Sequence, residues 1–364
     1  MVQSLDTIVI LLLMIASTRL AYDSRAPLIG ILMQPGDSDL KVQFPTPSEF
    51  YTYVPSSYVE WIAQTGAIPV LVPFDVPKER LDKILETVQG FLFPGGDSDF
   101  NFPGTVEPTQ FYLTMKRIMD YSIDRFNKTG KKFPVFGTCQ GFQAMLIYFA
   151  DMKVLDGGMN DKRTDHPIVI DESEMQKSTF FSKISKQYRD YVFSHGFMYY
   201  SHNFGIYMDA LATAPYNKLK DELLILGYSQ LGQNHDGKKF LALAEHKKYP
   251  LYLVQFHPEK TQFERGQHYH FLDRSAPTMN FAIECANLFV DIAREDAKPY
   301  KSIPDWIKPH FSQYFTPINS FYVGFERVYL FPRMYSAVPS GLSQSHPIKY
   351  TDPMLGKSQQ PETG

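Results

Sequence analysis

Short apolar runs and amphipathic stretches alternate along this chain from residue 27 onward, and that alternation predicts the architecture. Leu28 to Met33, Ile68 to Val72, Phe91 to Phe93 and Phe133 to Phe136 are continuous apolar runs of strand length. Helical patterns lie between them. Ser57 is placed to cap a helix running to about Gln64, with Gly66 supplying the turn that ends it. Pro77 opens a second helix whose apolar residues Leu81, Ile84, Leu85 and Val88 share one face. A long helix is expected from about Pro108 to Phe126, and another from Phe142 to about Ala150. Strands alternating with helices specify an α/β fold, a central and mostly parallel sheet with helices on both faces. Beyond residue 165 the strands come at shorter intervals: Ile168 to Ile170, Leu223 to Tyr228, Phe240 to Ala244 and Leu251 to Phe256. A last helix is expected from about Pro277 to Arg294. Residues 25–332 read as one domain. Residues 333–364 are rich in Ser, Pro, Gly and Gln, the composition of a disordered tail.

The N-terminus breaks the pattern. Thr7 to Ala16 (TIVILLLMIA) is one apolar run followed by small residues. It is shorter than the roughly 20 residues a spanning helix needs, and it reads as the core of a signal peptide. The leader is expected to occupy residues 1–21, with cleavage between Ala16 and Ala21. Asp6 stands where positive charge is usual, and a buried helix or a short anchor is the alternative. The formal net charge of −3 and the absence of basic clusters argue against a nucleic-acid partner. A removable leader implies no stable membrane insertion and a secretory route to a lysosome, a vacuole or the outside.

The chemistry concentrates in three turns. Gly137-Thr138-Cys139-Gln140-Gly141 falls between a strand and a helix, the setting of a nucleophile elbow with Cys in place of Ser. At the start of a helix the dipole favours a thiolate, so a partly exposed, readily ionised thiol is expected at Cys139. The Gln140 N–H would face a developing oxyanion. Phe256-His257-Pro258-Glu259 follows a later strand. His257 serves as the base there, with Glu259 reaching its imidazole to fix the tautomer. Pro94-Gly95-Gly96 follows another strand, and the Gly96 N–H is a candidate second oxyanion donor. No Gly-Lys-Ser/Thr follows it, which excludes a phosphate loop. The ten histidines show no metal-ligand spacing, so neither a metal nor a cofactor is expected. The second cysteine, Cys285, lies in a helical apolar pattern and reads as a core residue. Asn127-Lys128-Thr129 is an acceptor sequon for N-glycosylation at Asn127.

Together these turns resemble the class I glutamine amidotransferase-like family, a flavodoxin-like single-domain fold, and within it the γ-glutamyl hydrolases. The resemblance runs through PLIGILMQ (27–34), SYVE (57–60), GFLFPGG (90–96), FPVFGTCQGF (133–142), SHNFGI (201–206), VQFHPEK (254–260), ANLFVDIAR (286–294) and FTPINSFYVGFERVYLFP (315–332). It implies a cysteine hydrolase of γ-glutamyl amide bonds, with Cys139 as nucleophile, His257 as base and Glu259 behind it. Its substrate would be a small molecule, a folyl poly-γ-glutamate, and the family tends to dimerise. A second family histidine falls on His202, in the substrate cleft; the residues themselves do not separate His202 from His195. Two departures stand out. Gln143 occupies the place of a common Glu, and Glu264-Arg265 stand where an aromatic residue is frequent. Two other functions remain open at this point: a glutaminase subunit supplying ammonia to a synthase, and a nonenzymatic secreted binding protein on the same scaffold.

Overall fold

The computed structural model describes residues 26–36, 51–195, 198–232, 237–266, 269–298, 302–314, 316–319 and 325–332. The expected leader at 1–21 and tail at 333–364 lie outside the described residues. In chain order the strands are β1 (Leu28–Leu32), β2 (Gln34–Pro35), β3 (Tyr51–Pro55), β4 (Ile68–Val72), β5 (Gly90–Phe93), β6 (Val135–Thr138) and β7 (Asp161–His166). They continue as β8 (Val169–Ile170), β9 (Met198–His202), β10 (Leu223–Gln230), β11 (Lys239–His246), β12 (Leu251–Val254), β13 (Ile318–Asn319) and β14 (Arg327–Pro332). Eight of them form one sheet in the order β4-β1-β5-β6-β12-β11-β10-β8. The four pairings from β4 across to β12 are parallel, and the three beyond β12 are antiparallel.

The two-residue period of a strand divides the core. Leu28 and Leu32 of β1, Phe91 and Phe93 of β5, and Leu251 and Leu253 of β12 pack on one face of the sheet. The helices Lys78–Thr87, Gln110–Thr129 and Gln140–Phe149 cover that face through Ile84, Met115, Ile118 and Met145. Ile29 and Ile31, Leu92, Tyr252 and Val254 face the other way, beneath the helices Ser56–Ala63 and Ala276–Arg294. Strands apolar on both faces are what such double coverage demands. The site therefore has to open at strand ends, which leave both helical layers undisturbed.

Several boundaries moved. The strand expected at 133–136 is Val135–Thr138, because Gly137 and Thr138 pair with Leu253 and Val254 although neither carries an apolar signal. The helix Ser56–Ala63 starts before Ser57, after Pro55 and without a side-chain cap. A second sheet, β13-β14-β3-β2, was not anticipated; it joins Tyr51–Pro55 to Arg327–Pro332. Cys285 is fully buried in the helix Ala276–Arg294, and neither it nor Cys139 is disulfide-bonded. Among the described residues no helix is long and apolar enough to cross a membrane.

Candidate active site

β6 delivers Cys139 into a sharp strand-to-helix turn. Its backbone sits at φ 47°, ψ −103°, a left-handed conformation that costs a non-glycine residue on the order of 1–3 kcal/mol. The Cys139 N–H donates to the Val254 carbonyl at 2.9 Å, so the last rung between β6 and β12 holds the strained residue in place. The flanking glycines are steric requirements. A Cβ on Gly137 would lie 2.7 Å from Met145 Sδ, and one on Gly141 would collide with the Phe93 carbonyl oxygen. Cys139 opens the helix Gln140–Phe149, with the Gln140 N–H directed at the thiol.

β12 brings His257 to the same place. Its N–H donates to the Tyr199 carbonyl of β9 at 3.0 Å, and its Nδ1 lies 2.8 Å from Glu259 Oε1. An ionised carboxylate only accepts hydrogen bonds. Nδ1 therefore carries the proton, which leaves the lone pair on Nε2. The Tyr58 hydroxyl stands 3.1 Å from the same Nδ1, accepting the Gly95 N–H at 2.7 Å and the Thr138 hydroxyl at 3.1 Å. Gly95 shows how closely the groups converge. A Cβ there would lie 2.6 Å from His257 Cε1, 2.7 Å from the Tyr58 oxygen and 3.0 Å from Cys139 Cβ. Gln34 fixes this turn from behind, its amide donating to the Gly95 carbonyl at 2.8 Å.

These groups open into a cleft of about 500 Å³ lined by Gly96, Gln140, Gln143, His202 and Lys260 as well as Cys139 and His257. Tertiary structure separates the two histidines that the sequence left equal. His202 ends β9 in the cleft wall, with Nδ1 3.0 Å from the Phe204 carbonyl and Nε2 3.4 Å from Asp161. His195 is exposed at the end of the helix Lys186–His195, its Nδ1 beside Ser194 Oγ and the Tyr191 carbonyl. Asn127 is exposed in the last turn of the helix Gln110–Thr129, away from the cleft-lining residues.

The expected partly exposed, readily ionised thiol is corrected by the structure. Cys139 is 3% exposed; burial and the nearby Glu259 push its thiol up to about 12, with Lys260 and the Gln140 N–H opposing. Burial lowers the His257 imidazole below its ordinary value, with Glu259 opposing. The resting pair is a thiol beside a neutral imidazole. Helix position alone suggested an anion; the dry surroundings reverse the sign.

Residue-level reading missed Tyr58, which has no signal beyond lying within SYVE. It also gave no role to Lys260, although that residue directly follows His-Pro-Glu. The Lys260 ammonium is buried 4.3 Å from the Phe325 ring centroid, 4.9 Å from Tyr269 and 5.1 Å from Tyr199. Aromatic faces of this kind stabilise a cation away from water.

A largely parallel sheet, a cysteine elbow after β6 and a His-x-Glu turn after β12 thus meet at one cleft. The sequence model of the peptidase C26 family matches residues 27–183. Gamma-glutamyl hydrolase B of Dictyostelium discoideum is 27% identical over 281 residues, covering 75% of this chain and 73% of that protein. Gamma-glutamyl hydrolase of Bos taurus is 26% identical over 310 residues, covering 84% and 90% of the two chains. The Homo sapiens protein of that name is 26% identical over 311 residues, covering 85% and 90%. The likeness to the γ-glutamyl hydrolases extends beyond the residues that the family model matches.

Proposed function

We propose that this protein is a cysteine hydrolase of γ-glutamyl amide bonds and that its substrates are folyl poly-γ-glutamates. One observation carries the reading: Cys139, His257 and Tyr58 surround the single point that the absent Gly95 side chain leaves open. The names of the relatives supply the bond type.

The chemistry follows from the resting protonation. His257 Nε2 takes the thiol proton as sulfur attacks the γ-carbonyl carbon, so charge separates only when substrate is present. The resulting oxyanion is met by the N–H groups of Gln140 and Gly96. Collapse breaks the C–N bond, the leaving amine takes the proton from His257, and a γ-glutamyl thioester remains on Cys139. Water then gives a proton to His257 and attacks the thioester; the sulfur leaves and is reprotonated. Glu259 keeps Nδ1 protonated and stabilises the imidazolium formed in each half-reaction. His202 and Lys260, in the cleft wall, are assigned to substrate contact.

We place the mature protein in the secretory pathway, with residues 1–21 removed, residues 25–332 as the catalytic domain and Asn127 glycosylated. A homodimer is the proposed assembly. The deciding assay offers purified protein a folate pentaglutamate and, separately, free glutamine, with products resolved by chromatography. Shortened folates with little ammonia are expected. Ammonia release from glutamine at an equal or greater rate would replace this reading with a glutaminase.

A further inference from the structure

His202 faces an acceptor at each of its ring nitrogens. Its Nδ1 lies 3.0 Å from the Phe204 carbonyl, which also accepts the Gln143 amide at 2.7 Å. Its Nε2 lies 3.4 Å from Asp161 Oδ2. His202 is 5% exposed and Asp161 4%, so the pair is withdrawn from bulk water. A carbonyl oxygen and an ionised carboxylate only accept. A ring with one proton would turn a bare nitrogen on one of them, and only the imidazolium suits both. The proton belongs on the ring, because an ordinary carboxyl is a far stronger acid than an ordinary imidazolium. The backbone builds this pair. Asp161 opens β7, His202 closes β9, and the two stand opposite each other in the antiparallel ladder. The other Asp161 oxygen is 2.8 Å from His166 Nε2, at the far end of β7. Phe240 of β11 and Tyr200 of β9 flank the His202 ring, with centroids 5.0 Å and 5.9 Å away.

We propose that Asp161 is a positioning residue that holds His202 doubly protonated, as a fixed positive charge in the wall of the cleft. His257 lines the same cleft and feels that charge. Burial is the largest influence lowering the His257 imidazole and Glu259 opposes it; Lys260 and His202 add to the lowering. Tyr58 and Cys139 are the other titratable groups that converge on the ring. His202 thereby disfavours a second proton on His257, which must stay neutral to act as the base. An Asp161 that acted on His257 by its own charge would have the opposite sign, since an anion favours the imidazolium.

The kinetic consequence rests on the γ-glutamyl hydrolase reading, so the experiment has an arm that does not. Ring ¹⁵N spectra of histidine-labelled protein, with His202 assigned through His202→Gln, report its protonation without any turnover. In the unsubstituted protein both His202 nitrogens should show the imidazolium pattern wherever His257 is still neutral. In Asp161→Asn that pattern should give way to a single-proton tautomer. The kinetic arm measures kcat/KM on the folate pentaglutamate across pH 4 to 8. In Asp161→Asn and in His202→Gln the acid limb should move up by roughly half a pH unit, about a threefold loss at its foot. The double variant should show the same limb as His202→Gln alone, because Asp161 acts through that ring. A single-proton pattern at His202 in the unsubstituted protein overturns the proposal, and that measurement needs no variant to fold. So does an Asp161→Asn limb that stays in place, as a merely structural role predicts, or moves down, as a direct effect of the Asp161 charge predicts. If the unsubstituted protein cleaves no γ-glutamyl bond, the hydrolase reading fails and the spectra alone decide the role of Asp161.

Discussion

Cys139 and His257 are each unusual only because of what surrounds them. An ordinary thiol ionises near 8.5, yet this one is pushed up to about 12 by burial and by Glu259. An ordinary imidazole titrates near 6.5, yet burial holds His257 lower. The base must be neutral to accept the thiol proton, so kcat/KM should fall on the acid side as His257 protonates, with its midpoint below about 6.5. Glu259 opposes the depression of His257. Glu259→Gln should therefore move the acid limb to still lower pH while reducing the plateau rate. An acid limb that stays in place, or moves up, removes Glu259 from its assigned role. Cys139→Ala and His257→Ala should each cost on the order of 10⁴-fold in turnover, and the double variant little more, because the pair acts as a unit. Rapid-quench assays would resolve such losses, and near-normal turnover in Cys139→Ala would end the nucleophile assignment.

At the scale of elements, the site is an intersection that no single segment contains. Tyr58 comes from the helix Ser56–Ala63, Gly95 from the turn after β5, Thr138 from β6 and His257 from the end of β12, and the Tyr58 hydroxyl touches all of them. Removing it with Tyr58→Phe leaves the Gly95 N–H without that acceptor inside a dry site, a loss of about 1–3 kcal/mol. Denaturant melts should register that loss. Turnover should fall by more than the unfolded fraction explains, because the Gly95–Gly96 turn and the His257 ring lose a shared anchor. A variant with full activity would make the hydroxyl a bystander. The strands and helices that meet here were readable one at a time from apolar runs and their periods. β3 and β14 were not, since Tyr51–Pro55 and Arg327–Pro332 meet as neighbouring strands across most of the chain. Pairing at such separation leaves no mark on a local window.

The whole chain carries its proposed route and its chemistry in separate parts. Asn127 is exposed, its side-chain oxygen accepting from Lys248 Nζ at 3.0 Å and the Tyr249 hydroxyl at 3.1 Å. Expressed in a eukaryotic secretory host, the protein should emerge without its first residues and with one glycan that an endoglycosidase removes. Asn127→Gln should migrate like the deglycosylated form and keep its activity. Intact-mass measurement checks both points; a mature chain that begins at Met1 would rule out the leader.

The sequence by itself determined the layered α/β plan, the elbow at Cys139 and the His-x-Glu turn. Each is encoded locally, by an apolar period or by glycines and a proline at fixed offsets. Only the tertiary structure decided that the thiol rests protonated, since desolvation depends on what packs against a group rather than on its neighbours in sequence. It also put His202 in the cleft wall and left His195 at an exposed helix end. The Tyr58 hydroxyl and the Gln143–Phe204–His202 arrangement arise the same way. Tyr58 lies 199 positions from His257 and Gln143 lies 61 from Phe204, and folding alone brings each pair within hydrogen-bond reach.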